Sequence, residues 1–150
     1  MAPIAVHGRE ELEREDRVIR ANTRASLMSD TKWRKLLSAL DRPELGLKQC
    51  IIKFVGAPGE KVVNRPSALY PPHPWIDTIE FGPIPLRSIE WMLFPRVAEY
   101  RRGNRRVPKQ RMEQDVEEAA RIVGALGRYP AELSERGLLI AGYLPTTPTT

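Results

Sequence analysis

Six basic side chains and no acidic one occur within residues 101–111, RRGNRRVPKQR. The whole chain has 24 Lys and Arg against 19 Asp and Glu, so without this segment it is close to neutral. A concentrated positive segment on a neutral body is typical of a surface that meets phosphate, nucleic acid or an acidic protein. A solvated surface loop is equally compatible with the pattern. The candidate binding residues here are Arg101, Arg102, Arg105, Arg106, Lys109 and Arg111.

Three carboxylates fall where they could hold a divalent metal ion. Asp77 and Glu80 flank one predicted strand, and Glu90 lies inside another. A nuclease site of the restriction type needs Glu-x-Lys after an acidic residue, because the lysine stabilises developing negative charge. Met92 stands where that lysine would be. The sequence therefore predicts no metal site, and we expect Glu90 on the solvent face of its strand.

Histidine and cysteine are scarce, since the chain has only His7, His73 and Cys50. This shortage excludes a zinc site in practice. No complete set of nucleophile, base and oxyanion donor can be read from the spacing, so we name no catalytic residue and no cofactor. An enzyme of an unrecognised type would centre on His73, Asp77 and Glu90, and it stays the third functional hypothesis.

Residues 56–61, GAPGEK, place glycines before a lysine, as phosphate-binding loops do. The spacing differs from the GxxxxGK[ST] pattern that cradles a nucleotide, and two valines follow. A tight turn between two strands is therefore favoured over a nucleotide site.

The aromatic residues divide into two groups. Tyr70 and Trp75 belong to the proline-rich stretch 65–75, RPSALYPPHPW, which can present an aromatic anchor to a partner at low entropic cost. A Trp75 side chain folded over its own core is the alternative. Trp33 and Trp91 fall on the apolar faces of a predicted helix and strand, so we expect both in the core.

The remaining periodicity predicts helices around a small sheet. Residues 8–28 indicate a charged helix, and 29–40, SDTKWRKLLSAL, an amphipathic helix with a capping residue at its start. The fold class is predicted to be α+β, with N-terminal helices, a small mainly antiparallel sheet and a long C-terminal amphipathic helix followed by a short strand. The other predicted elements are a hairpin of 47–56 with 61–64, a return to the sheet at 76–81, a turn at 82–85, a central strand at 87–94, a helix from Pro108 to Gly127 and a last strand at 137–144.

Length and composition indicate one domain of 150 residues. We predict a charged helical arm at 1–28, the α+β domain at 29–144 and a disordered tail at 145–150. A single cysteine excludes an internal disulfide and indicates a reducing cytoplasm, and the apolar run around Cys50 predicts a buried thiol. The chain shows neither a signal-peptide pattern nor the ~20 apolar residues of a membrane span, so we expect no membrane association.

Three segments carry a resemblance. SDTKWRKLLSAL, the GPIP turn and RSIEWMLFP are similar to a family of small uncharacterised bacterial proteins with a TKW-type first helix and an IEW-type strand, over residues 29–95. The resemblance implies a compact bacterial intracellular domain, with residues 1–28 as an extension. That family has no assigned activity, so no catalytic residue transfers.

The leading functional hypothesis is a non-enzymatic binding protein of the bacterial cytoplasm, an accessory or immunity-like factor that acts through a protein partner. The basic segment, Tyr70 and Trp75 would form its contact surface. The alternative is a nucleic-acid-binding protein that uses residues 101–111. The sequence leaves the partner's identity and the oligomeric state open.

Overall fold

The computed structural model of the chain describes residues 9–64, 67–68, 75–78, 82–100 and 110–145. Its helices are α1 (Arg9–Asn22), α2 (Asp30–Leu40) and α3 (Val116–Leu126). Its strands are β1 (Thr23–Ser26), β2 (Gln49–Phe54), β3 (Lys61–Asn64), β4 (Ser67–Ala68), β5 (Trp75–Thr78), β6 (Gly82–Pro85), β7 (Ile89–Pro95), β8 (Val97–Tyr100), β9 (Gln110–Glu113), β10 (Ala131–Leu133), β11 (Gly137–Ala141) and β12 (Tyr143–Pro145). Helices and antiparallel strands together confirm the α+β class. None of the helices described is long and apolar enough to cross a membrane.

A five-stranded antiparallel sheet in the order β10-β11-β7-β2-β3 forms the centre of the fold. Strand β7 lies in the middle of this order, which confirms the predicted central strand. The β2–β3 hairpin is also confirmed, with Cys50 opposite Val63. Ile52 pairs with Met92, which pairs in turn with Ile140, and all three are fully buried.

The residues of α2 and α3 pack on the core face of this sheet. The Ser29 side chain accepts a hydrogen bond from the Lys32 N–H at 3.1 Å, which caps α2 as predicted. Trp33 is only 1% exposed, so its predicted place in the core is confirmed. The prediction for Trp91 is wrong, because Trp91 is half-buried. Neighbouring residues of a strand point to opposite faces, and the core takes Met92 instead.

Helix α3 begins later than the sequence predicts. The Asp115 side chain accepts the Glu118 N–H at 3.1 Å and caps a helix of 11 residues, which is no longer than α2. Residues 110–113, of which Met112 fits the apolar spacing of that helix, form β9 and pair with β8 instead. On the surface of α3, Glu118 pairs with Arg121, and the hydrogen bond from Arg121 holds the pKa of the Glu118 carboxyl below its ordinary value.

Two short sheets flank the central one. The predicted turn at 82–85 is wrong, because Gly82–Pro85 is β6, which pairs with β5 and lies at the edge of its sheet as far as the described residues go. An edge position tolerates its two prolines because no further ladder donor is needed. Strand β5 joins β4 and β6 and does not return to the central sheet.

At the N-terminal end, the predicted helix 8–28 ends at Asn22, and β1 then pairs with β12. The predicted last strand is divided into β11 and β12 around Gly142. The division of the chain at residues 28 and 144 stays a prediction, and residues 146–150 lie outside the described residues.

Candidate functional site

The basic segment is joined at both ends to an antiparallel pair of strands. Tyr100, the last residue of β8, lies opposite Gln110, the first residue of β9, and Val97 lies opposite Glu113 at the other end. We call these two strands the stem. Residues 101–109, which connect them along the chain, lie outside the described residues, and with them five of the six predicted basic residues: Arg101, Arg102, Arg105, Arg106 and Lys109.

The stem has charges of both signs. All four residues of β9 are exposed. Arg111 is the predicted basic residue that the structure describes, and its Nε lies 3.7 Å from Oε1 of Glu99, so the two form an exposed ion pair across the stem. Glu113 adds a second carboxylate, and Met112 is 41% exposed. The stem therefore offers a mixed surface of cation, carboxylate and thioether beside the basic segment.

The stem is attached to the central sheet through Gln49, the first residue of β2. The Gln49 amide donates to the carbonyl oxygen of Glu99 at 3.1 Å, and its Oε1 accepts the Glu99 N–H at 3.2 Å. The same amide nitrogen donates to Oδ1 of Asn64 on β3 at 3.2 Å. Gln49 is only 6% exposed, so these bonds run from a buried side chain to partners nearer the surface, since Glu99 is exposed.

A second buried amide, Gln114, directly follows the stem and is 5% exposed. Its Oε1 accepts the backbone N–H groups of Lys48 and Gln49, both at 2.9 Å. Its Nε2 donates to the carbonyl oxygens of Gln49 at 3.1 Å and of Pro95 at 2.8 Å. The Gln114 backbone N–H donates to the Arg96 carbonyl at 2.8 Å. One side chain thus joins the end of the stem to β2 and to the end of β7.

Arg96, which lies between β7 and β8, bonds the start of the stem to neighbouring elements at the surface. Its Nη1 donates to Oε1 of Glu117 on α3 at 2.7 Å, and its Nε donates to the Ser134 carbonyl at 2.9 Å. The stem is therefore attached to β2, β7 and α3.

The side chains of the two predicted aromatic contacts lie outside the part of the chain that the structure describes. Tyr70 lies outside the described residues, and Trp75 is described by its backbone, which begins β5 opposite Pro85. Arg111 is the predicted contact residue whose side chain is described, and it lies beside Glu99. Whether Tyr70 and Trp75 belong to the same surface stays a prediction.

The residues of the enzyme hypothesis are described only in part. Glu90 pairs with Nζ of Lys53 at 3.5 Å, and Asp77 lies in β5 opposite Ser67 and Pro83. His73 and Glu80 lie outside the described residues. Within the part of the chain that the structure describes, no group of three or more His, Cys, Asp or Glu residues could hold a metal ion. Cys50 is fully buried, as predicted.

The sequence did not reveal Gln49 and Gln114. Glutamine occurs mostly on protein surfaces, and these two are 65 residues apart, so no spacing rule connects them. A glutamine at the start of the mainly apolar strand QCIIKF was the only local signal.

Comparison with known proteins places the chain in a family without assigning it an activity. Neither the curated proteins nor the solved structures include one that matches it. Residues 16–147 match a family of unknown function, a longer stretch than the 29–95 expected from the resemblance. That match spans α2, the whole central sheet, the stem and α3, so the chain belongs to this family, DUF6678.

Proposed function

We propose that this protein is a non-catalytic binding protein that uses the basic segment to hold an acidic surface of a protein partner. The attachment of the stem carries the proposal: the strands on both sides of the segment pair with each other and are bonded to the central sheet through Gln49 and Gln114. Six positive charges fall within residues 101–111, which follow β8 in the chain and run into β9, and such a concentration of positive charge favours an anionic partner.

The composition of the stem favours a protein partner over nucleic acid. The exposed Met112 suits an apolar contact, which methionine commonly makes at adaptable protein interfaces. Residues 101–111 contain no aromatic side chain that could stack on a base.

The composition and the core segments suggest a cellular setting. We propose that the protein acts in the bacterial cytoplasm as an accessory or immunity-like factor, and a chain with a single cysteine, which cannot form an internal disulfide, suits a reducing compartment. We further propose that TKW in α2 and IEW in β7 are shared segments of the family, since each supplies residues to the core.

Charge reversal with a matched control tests the proposal. In the test variant, Arg101, Arg102, Arg105 and Arg106 are replaced by Glu. In the control, the exposed residues Arg14, Arg17, Arg20 and Lys35 are replaced by Glu, which changes the net charge equally. Each protein is used to capture partners from a lysate of the native host, and binding to single- and double-stranded oligonucleotides is titrated against salt.

We expect the wild type and the control to retain the same acidic protein, and the test variant to lose it. We expect oligonucleotide binding to be weak near physiological salt. The opposite result would be sub-micromolar oligonucleotide binding there, with a log–log salt slope of about −3 for four phosphate contacts, lost in the test variant. That result would replace the protein partner with nucleic acid.

A further inference from the structure

We propose that Gln49 and Gln114 are positioning residues: they fix the stem in one orientation and so set the affinity of the basic segment for its partner. This inference rests on the proposed function for its consequence, but the orientation of the stem can be tested without any partner.

The stem needs such an anchor because of its size. Strands β8 and β9 form a two-stranded sheet of four residues each, and a two-stranded hairpin is marginally stable by itself in water. A hairpin of this size keeps a fixed direction only if contacts outside it hold it.

Gln49 supplies that contact in the way a neighbouring strand would. Its side chain accepts the N–H of Glu99 and donates to the carbonyl of the same residue, at 3.2 and 3.1 Å. A backbone residue of a paired strand makes the same reciprocal two bonds. Gln49 therefore attaches β8 to the central sheet at the middle of the stem, where no strand of that sheet pairs with it in the described part of the chain.

Gln114 fixes the other end. Its Oε1 accepts hydrogen bonds from the N–H groups of residues 48 and 49, and its Nε2 donates to the carbonyls of Gln49 and Pro95. These bonds join Gln114, which follows β9, to Pro95, which precedes β8. The start of β8 and the end of β9 are therefore held together. Both amides are nearly fully buried, where water competes little for their hydrogen bonds.

A fixed stem has a consequence for binding. Arg111 and the other exposed residues of β9 belong to the stem, and residues that are already in place when a partner arrives lose less binding free energy to ordering than residues that are not. The two glutamines would thus raise the affinity of a surface that they do not touch.

The test variant is Gln49→Met, which keeps the length of the side chain and removes its bonds to Glu99 and Asn64. The matched control is Ser88→Ala, which removes another buried hydrogen bond, from Ser88 Oγ to the Pro85 carbonyl at 2.7 Å, away from the stem. A second variant, Gln49→Glu, keeps an acceptor for the Glu99 N–H and loses the donor, so the test continues if Gln49→Met does not fold.

Backbone ¹⁵N relaxation gives the readout on the stem itself. We expect the order parameters of β8 and β9 to fall from about 0.85 in the wild type to below about 0.6 in Gln49→Met, with an intermediate loss in Gln49→Glu and none in Ser88→Ala. A stem in the Gln49 variants that stays as rigid as in the wild type would overturn the inference, as would an equal loss of order in Ser88→Ala.

Binding to polyglutamate, as an acidic probe at low salt, gives the second readout. We expect Gln49→Met to bind it at least about fivefold more weakly than the wild type, and Ser88→Ala to bind it equally well. Equal affinity of Gln49→Met with a loosened stem would overturn the affinity part of the inference. If the wild type does not bind polyglutamate at all, the proposed function is contradicted, and the relaxation data decide the positioning roles by themselves.

Discussion

Gly137 lies against Phe94 so closely that a β-carbon at position 137 would overlap the Phe94 carbonyl oxygen. The same β-carbon would come within 2.9 Å of the Cα of Pro95, the residue opposite Gly137 in the β7–β11 pair. The backbone at Gly137 has a φ of +149°, a value that residues with a β-carbon rarely adopt. The central strand therefore receives its neighbour β11 at a point where only glycine fits.

We expect Gly137→Ala to lower the free energy of unfolding by about 3 kcal/mol, because strain in φ adds to a clash with rigid backbone. Gly124→Ala is the control: Gly124 lies in α3, and a β-carbon there meets nothing within 4 Å. This second change should raise stability by about 0.5–1 kcal/mol, since alanine is the better helix former. Urea denaturation measures both, and equal effects would contradict the assignment of close packing to Gly137.

Trp33 and Trp91, the two tryptophans whose side chains the structure describes, should respond differently to truncation. Trp33→Ala should cost about 3–5 kcal/mol, because the side chain is 1% exposed and packed in the core. Trp91→Ala should cost only about 1–2 kcal/mol, because Trp91 is half-buried on the opposite face of the sheet from Met92. Chemical denaturation of both variants checks the order, and a larger loss at Trp91 would show that the two faces are assigned the wrong way round.

The fold was predictable where one local pattern acted alone. Helix α2 has both a capping serine and apolar residues at helical spacing, and the β2–β3 hairpin has a glycine-rich turn between two apolar runs. Prediction failed at 110–113, where Met112 fits the spacing of α3 but pairs with β8 through contacts distant in sequence. It failed at Trp91 as well, because alternation along a strand does not say which face meets the helices.

The candidate site was predictable only as a charge pattern. The basic segment is visible in the composition of 101–111. The attachment of the stem to the central sheet depends instead on Gln49 and Glu99, which are 50 residues apart. The residues next to a glutamine in the sequence do not show whether its side chain is buried or exposed in the folded protein. Hydrogen bonds between a side-chain amide and a residue distant in sequence leave no periodic pattern in the sequence.

The carboxyl of Asp30 should make stability depend on pH. Burial raises the pKa of Asp30 above its ordinary value of 3.8, against the opposing effect of the positive charges of Arg34 and Arg87. The folded state then holds this proton more tightly than the unfolded state, so ionisation of Asp30 costs folding free energy. Stability contributed by the protonated form is present below 3.8 and is lost as the pH rises through the raised pKa.

Asp30→Asn isolates this effect from the other carboxyls. We expect the wild type to lose stability relative to Asp30→Asn as the pH is raised from about 3 to 7, measured by urea denaturation at constant ionic strength. A ¹³C NMR titration of the Asp30 carboxyl gives the direction of its pKa directly. A difference between the two proteins that grows in favour of the wild type with rising pH would contradict the burial of this carboxyl.

Gln114 should matter to stability far more than its neighbours in the stem. Replacing it by leucine would leave the N–H groups of Lys48 and Gln49 and the carbonyls of Gln49 and Pro95 without the partner they have now, in a site that is nearly fully buried. Each buried polar group left unpaired costs about 1–3 kcal/mol, although local rearrangement recovers part of it, so we expect Gln114→Leu to lose about 3–5 kcal/mol. Gln110→Leu is the matched control on the exposed strand β9, with an expected change below about 0.5 kcal/mol. Thermal and urea denaturation compare the two variants, and a Gln114→Leu protein as stable as Gln110→Leu would mean that this amide does not hold the stem to the sheet.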